Sequence, residues 1–254
     1  MTKAEQIIDN HSCEAIEFRL LGDPIDLREL YIVFTETSPK LVEYTDQYFL
    51  QVSGFGIDVI QAKRFAEDYL SQLNGAASLI IQCGYQPVRL EANEWYLIDS
   101  DGHRSRGTGG VEFISTIYLR PGRFLDEDMQ NKLRMRLRTI IFECAGASKN
   151  ELKLRHILEI ISKPKPSWAE LYLVQELAWS IMKSRGMPCP YTANIKTFKD
   201  TACSWSALGI EARHGNKPDK VDIGPAEAMS YPDALALVRA YVKSLLEHIG
   251  DHGT

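Results

Sequence analysis

No run of apolar residues in this chain of 254 residues is long enough to cross a bilayer. The opening stretch, MTKAEQIIDNHSCEAIEF, lacks an apolar core followed by a small-residue cleavage site, so no signal peptide is expected. An excess of positive charge is also missing. The formal net charge of -5 excludes a generally basic nucleic-acid binder and leaves open only a regional patch. The 5 cysteines (Cys13, Cys83, Cys144, Cys189 and Cys203) contain no Cys-x-x-Cys pair. An odd, scattered set excludes a disulfide frame and a zinc knuckle, and it fits reduced thiols in a cytoplasmic protein. Internal repeats and low-complexity segments are absent. What remains, 44% hydrophobic and 25% charged residues, is the composition of an ordinary globular chain.

The two halves differ in periodicity. In CEAIEFRLL, Ala15 or Ile16, Phe18 and Leu20 alternate with charged neighbours, and LYIVF, KLVEY and QYFLQV are short β-branched and aromatic runs. Thr45-Asp46 between the last two predicts a tight hairpin. A helix is predicted from about Asp58 to Leu73, on the stripe Val59, Ala62, Phe65, Ala66, Tyr69, Leu70 and Leu73, with Asn74-Gly75 as its left-handed cap. Strand patterns return in SLIIQ, PVRLEA, WYLID and GVEFISTIYL. After Phe124 the period is helical. LDEDMQNKLRMRLRTIIFECAG has acids first and Gly146 last, with Leu133, Leu137, Ile140, Ile141 and Cys144 on one face. Further helices are expected over Ser148–Ser162, over Trp168–Ser184 behind Ser167 as N-cap, over Thr192 to about Ala212 with a break near Gly209, and after Ser230. The pattern implies an α+β fold. A mostly antiparallel β-sheet domain with one main helix (1–122) precedes an all-α helical bundle (123–254).

Several stretches invite a chemical reading. DSDGHRS, Asp99 to Ser105, has the carboxylate spacing of a calcium loop, yet Gly110 stands where the bidentate glutamate belongs. Between two strands, Asp101-Gly102 is what a type I′ hairpin requires, so no metal is expected. RGTGG leads into a strand and lacks the helix and lysine of a phosphate cradle. In NKLRMRLR, Lys132, Arg134, Arg136 and Arg138 fall on both flanks of the apolar stripe. Arg134 and Arg138, one turn apart, form a flank that suits a phosphate backbone, but a solvated helix face balanced by the first-turn acids is the reading favoured for the run. Trp168, Tyr172, Gln175 and Trp179 recur at helical spacing and read as a bundle core with its polar tips at the edge. His156 reads as structural or exposed.

The segment GIEARHGNK carries Arg213 beside His214. The pair has three readings. It can be cations closing a helix before Gly215, an anion-binding pair, or a catalytic pair. The wider pattern, IKTFKDTACSWSALGIEARHGNK and then MSYPDALALVRAYVKSLLEHI, resembles the closing part of HEPN-like helical domains of bacterial defence and toxin systems. In those, a histidine in a similar context precedes the last helix. The resemblance covers the C-terminal hundred or so residues, and His214 is the position it carries over. It implies a place in anti-phage defence and contact with RNA. Ribonuclease members have an arginine several residues before the histidine, where this chain has Leu208, Gly209 and Ile210. Adjacent helical residues point about 100° apart, so Arg213 cannot replace it on a regular helix.

The sequence therefore leads to a non-catalytic recognition or association module, with Arg213, His214, Arg134 and Arg138 as candidate binding residues. It calls for a protein partner or a second copy, admits RNA, and needs no cofactor or membrane. The alternative is a metal-independent endoribonuclease using His214 and Arg213.

Overall fold

A computed structural model of the chain describes residues 13–81, 85–108, 127–145, 149–188, 192–212 and 223–252. The fold is α+β, with an antiparallel sheet in the N-terminal part and a helical C-terminal part. Packing divides it into two compact units, Met1–Leu70 with Gly84–Asp126, and Ser71–Cys83 with Glu127–Thr254. The connector RPGRF, the expected strand GVEFISTIYL and the boundary at 122/123 lie outside the described residues.

The first unit holds strands β1 (Ala15–Leu21), β2 (Lys40–Tyr44), β3 (Gln47–Ser53), β4 (Arg89–Ile98) and β5 (Arg104–Thr108), in the order β2-β3-β1-β4-β5. It also holds helix α1 (Pro24–Phe34) and the first part of helix α2 (Val59–Ile80). Among the described residues every strand pairing is antiparallel. Thr45 and Asp46 join β2 to β3 with φ of 49° and 62°, the two left-handed residues of a tight I′-like turn. The run LYIVF is not a strand but the end of α1. Asp23 caps that helix by accepting from the Ile25 amide at 2.9 Å, and Pro24 occupies its first turn. Leu27, Leu30, Val33 and Phe34 then bury one face at three- and four-residue spacing. Local β propensity lost here to a start signal placed just upstream.

Register sorts the sheet into two faces, because residues paired across antiparallel strands point the same way. One face carries Ile16, Phe18, Leu41, Leu50 and Val52, each at most 1% exposed. Helix α1 lies on this side, with the Tyr31 ring 5.7 Å from that of Tyr48. The other face carries Ala15, Glu17 and Arg19 of β1 beside Phe49, Gln51 and Ser53 of β3, and Tyr96 and Ile98 of β4.

In the second unit, α2 continues through the expected Asn74-Gly75 cap and takes in Ser78, Leu79 and Ile80 of the expected strand SLIIQ. The reason is at Gly75, where a Cβ would lie 2.2 Å from the Leu158 carbonyl oxygen. The glycine serves close helix packing, and the Ser71 and Ser162 hydroxyls meet nearby at 2.8 Å. Helices α3 (Glu127–Cys144), α4 (Lys149–Ile161), α5 (Trp168–Ser184) and α8 (Tyr231–His252) pack as a ring in which α3 touches α4 and α8, and α5 touches α4 and α8. Helix α6 (Thr192–Cys203) adds to α5 and α8, and the single turn α7 (Trp205–Leu208) follows it. Ser167 and Glu170 form a full capping box on α5. Ser230 accepts from the Asp233 amide at the start of α8. Trp168 and Tyr172 are buried as a core reading requires, but Gln175 is 1% exposed and Trp179 is 44% exposed. The polar residue therefore sits inside and the last aromatic outside, where Lys183 lies 5.1 Å from its ring. Among the described residues, no helix is long and apolar enough to cross a membrane.

Alanine normally favours a helix interior over glycine by about 0.8–1 kcal/mol. At Gly75 the added carbon meets backbone, which cannot yield as a side chain can. Gly75→Ala is expected to destabilise by about 1–3 kcal/mol, the scale of core overpacking. Urea unfolding checks this, and an unchanged or raised midpoint would contradict the close packing.

Candidate functional site

On the polar face of the sheet, one side chain from every strand converges on the guanidinium of Arg104. Its Nε donates to Glu17 Oε2 at 2.8 Å, and its Cζ lies 3.5 Å from the Tyr96 ring centroid, 4.0 Å from Phe49 and 4.5 Å from Tyr44. The three rings form a row across the sheet, Tyr44 to Phe49 and Phe49 to Tyr96 each at 5.7 Å and edge-on. Glu17 is 1% exposed, and its other oxygen accepts from the Tyr44 hydroxyl at 3.0 Å. Both carboxylate oxygens are thus occupied, as a buried charge requires. Arg104 Nη2 is buried without a hydrogen-bond acceptor, and the aromatic faces take up its positive edge instead.

A second polar triad adjoins the first through Tyr96, whose hydroxyl donates to Glu94 Oε1 at 2.7 Å, while Arg19 Nη1 donates to Glu94 Oε2 at 2.6 Å. Burial opposes ionisation of Glu94, but the Tyr96 hydroxyl and Arg19 outweigh it and hold the carboxyl below its usual range. Burial and the Glu17 charge raise the Tyr44 phenol. Burial and the hydrogen bond to Glu94 raise that of Tyr96. The shifts hold Glu94 ionised and the two phenols protonated around neutral pH, which suits a fixed frame.

Beside this frame, on the same face, lies a cleft of 540 Å³ lined by Glu14, Ala15, Thr37, Ser38, Lys40, Gln51, Ser53 and Ile98. Its volume falls within the range of small-ligand sites, about 300–1,000 Å³. Ala15 and Ile98 are 4% and 9% exposed and make an apolar floor, while the rim is polar. The register explains the gathering: Lys40 pairs with Gln51, Gln51 with Glu17, and Ala15 with both Ser53 and Ile98. Thr37 spends its hydroxyl on the Phe34 and Pro39 carbonyls, at 3.1 and 2.6 Å, which shapes the wall between α1 and β2. Glu14, Ser38, Lys40, Gln51 and Ser53 engage no partner with their side chains among the described residues. Sequence reasoning passed over all of these residues, since a five-strand convergence follows from strand order, which no local pattern encodes.

The sequence-derived candidates fare differently. Arg213 and His214 lie outside the described residues, but the backbone leading to them is described. Helix α7 ends at Leu208, Gly209 turns with φ of 57°, and a 3-10 turn over Gly209–Glu211 gives way to Ala212, extended at ψ of 133°. The described backbone is thus no longer helical at Ala212, the residue before the pair. Ser204 ties this region to the far side of the segment by donating to the Ile223 carbonyl at 2.9 Å. Arg134 interacts with Asn131 and Gln130 on its own helix, and Arg138 lies 5.8 Å from the exposed Phe142 ring. Arg136 is committed to Asp251 through two hydrogen bonds of 2.8 and 2.7 Å. His156 is exposed, 3.4 Å from Glu159. Comparison with protein-family models, with curated proteins and with solved structures gives no match to this chain.

DSDGHRS does close a hairpin between β4 and β5, though not through a two-residue I′ turn. Only Gly102 has positive φ, at 78°, and the Gly102 amide donates to the Asp99 carbonyl at 3.0 Å, so the loop is a longer turn ending in a left-handed glycine. Asp99 Oδ1 accepts from the Asp101 and His103 amides at 3.0 and 2.8 Å. His103 Nδ1 also lies 3.4 Å from Asp99 Oδ2, and the Asp99, Asp101 and His103 ligand atoms fall within 4.8 Å of one another. Asp99→Ala is expected to lower stability by about 1 kcal/mol with or without calcium, the cost of lost turn hydrogen bonds. Calcium should leave the wild-type melting temperature unchanged, since a ligand of the native state alone would raise it. A calcium-dependent rise abolished by Asp99→Ala would show a metal site.

Proposed function

We propose that this chain is a non-catalytic recognition module in which the polar sheet face takes a small polar ligand and the helical unit associates with a protein partner or a second copy. The observation that carries the reading is the 540 Å³ cleft, whose apolar floor and uncommitted polar rim stand beside a frame with every carboxylate oxygen occupied. A rigid wall lowers the ordering cost of binding. The pKa shifts of Glu94, Tyr44 and Tyr96 run opposite to what general acid–base catalysis at that face needs. A cytoplasmic location and a part in anti-phage defence belong to the same proposal, the latter on the HEPN-like resemblance alone. Arg134 and Arg138 remain candidates for phosphate contact in it, as do Arg213 and His214.

A panel of polar metabolites and short peptides, screened by thermal shift, tests the reading. At least one ligand is expected to raise the melting temperature of the wild type and not of Ser53→Trp, whose indole would fill the cleft. No stabilising ligand, or equal stabilisation of Ser53→Trp, would sink it. The purified protein is also expected to leave single-stranded RNA intact without added metal. Cleavage lost in His214→Ala would replace this reading with a ribonuclease.

A further inference from the structure

Within the cleft, opposite charges stand apart and unspent. Lys40 is on edge strand β2, and Glu14 directly precedes the first residue of β1, with β3 between them. Neither has an ion-pair partner among the described residues. Two inter-strand spacings separate β2 from β1, about 10 Å. Lys40 is level with Gln51 and so with Glu17, and Glu14 stands three residues before Glu17 along the chain. That adds about 10 Å at right angles, so the backbones carrying the two charges are roughly 14 Å apart.

A ligand that satisfies both must present an anion at one end and a cation at the other across that span. A free amino acid is too short. An extended peptide advances about 3.4 Å per residue, so three or four residues bring an α-carboxylate and an α-ammonium to the right separation. Between the charges, Ser38, Gln51 and Ser53 offer hydroxyl and amide groups, the complement of peptide N–H and C=O groups. Ala15 and Ile98 offer an apolar floor for small side chains.

We propose that the cleft binds a short peptide with both termini free, its carboxylate on Lys40 and its ammonium on Glu14. The assignment rests on the cleft being the recognition site and specifies its ligand class. Trialanine and tetra-alanine are the probes, with free alanine and acetyl-trialanine-amide as controls, read by thermal shift and calorimetry on the full chain. One of the unblocked peptides is expected to bind and raise the melting temperature by a few degrees, while both controls fail. Lys40→Glu and Glu14→Gln, at rim positions outside the buried frame, should each weaken binding about tenfold or more, the scale of one lost charge-assisted hydrogen bond. No binding of either peptide at 10 mM (about the weakest affinity worth calling a site), equal binding of the blocked peptide, or unchanged affinity in Lys40→Glu would overturn the assignment. A different ligand from the panel that Ser53→Trp excludes would refute the peptide and leave the site standing.

Discussion

Side chains from all five described strands meet at Arg104, and this face of the sheet is arranged around keeping its charge satisfied. Its guanidinium carries a full positive charge into a place where one edge sees only rings. The carboxylate of Glu17, 1% exposed, is tolerable only because Arg104 and Tyr44 occupy its two oxygens. Tyr44 and Phe49 belong to the β2–β3 hairpin, Tyr96 to β4 and Arg104 to β5, so a slip of one residue in any pairing would turn a member of the cluster to the apolar face. The pair then fixes register more than it adds net stability, since burying two charges costs several kcal/mol per ion before their attraction offsets it.

The same constraint separates what is spent from what is available. Glu17, Glu94, Arg19 and Arg104 neutralise one another in the frame. One register step away, Lys40, Glu14 and Gln51 face a cleft with nothing to bind among the described residues. β5 can reach the frame because Gly107 leaves room for the Trp95 indole on the opposite face, where a Cβ would lie 2.2 Å from the ring. The first glycine of RGTGG, Gly107, is therefore a packing residue.

What was legible in the sequence is what short-range physics encodes. Ser167, Ser230 and Thr45-Asp46 each announce a terminus or turn through hydrogen bonds within a few residues, and each stands in the structure where the pattern puts it. The α+β division follows from a change of hydrophobic period, for the same reason. LYIVF misled because β-branched propensity was read without the Asp23-Pro24 start. Gly75 misled because its reason lies on another helix, at Leu158. The Arg104 cluster was invisible, since Glu17 and Arg104 are 87 residues apart and only strand order joins them. The expected helix from Thr192 breaks near Gly209, as its glycine suggests, and the described backbone is extended at Ala212.

A double-mutant cycle on Glu17→Gln and Arg104→Met, measured by chemical denaturation, tests the dependence of the sheet on this pair most directly. Arg104→Met should cost roughly 3–5 kcal/mol, because it leaves the buried Glu17 uncompensated, and Glu17→Gln less, because the Arg104 side chain is 25% exposed. The double variant should recover a large part of that loss, giving a coupling well above the roughly 0.5 kcal/mol scatter of independent sites. Additive losses would mean that Arg104 and Glu17 do not hold each other, and the account of the sheet face would fail with them.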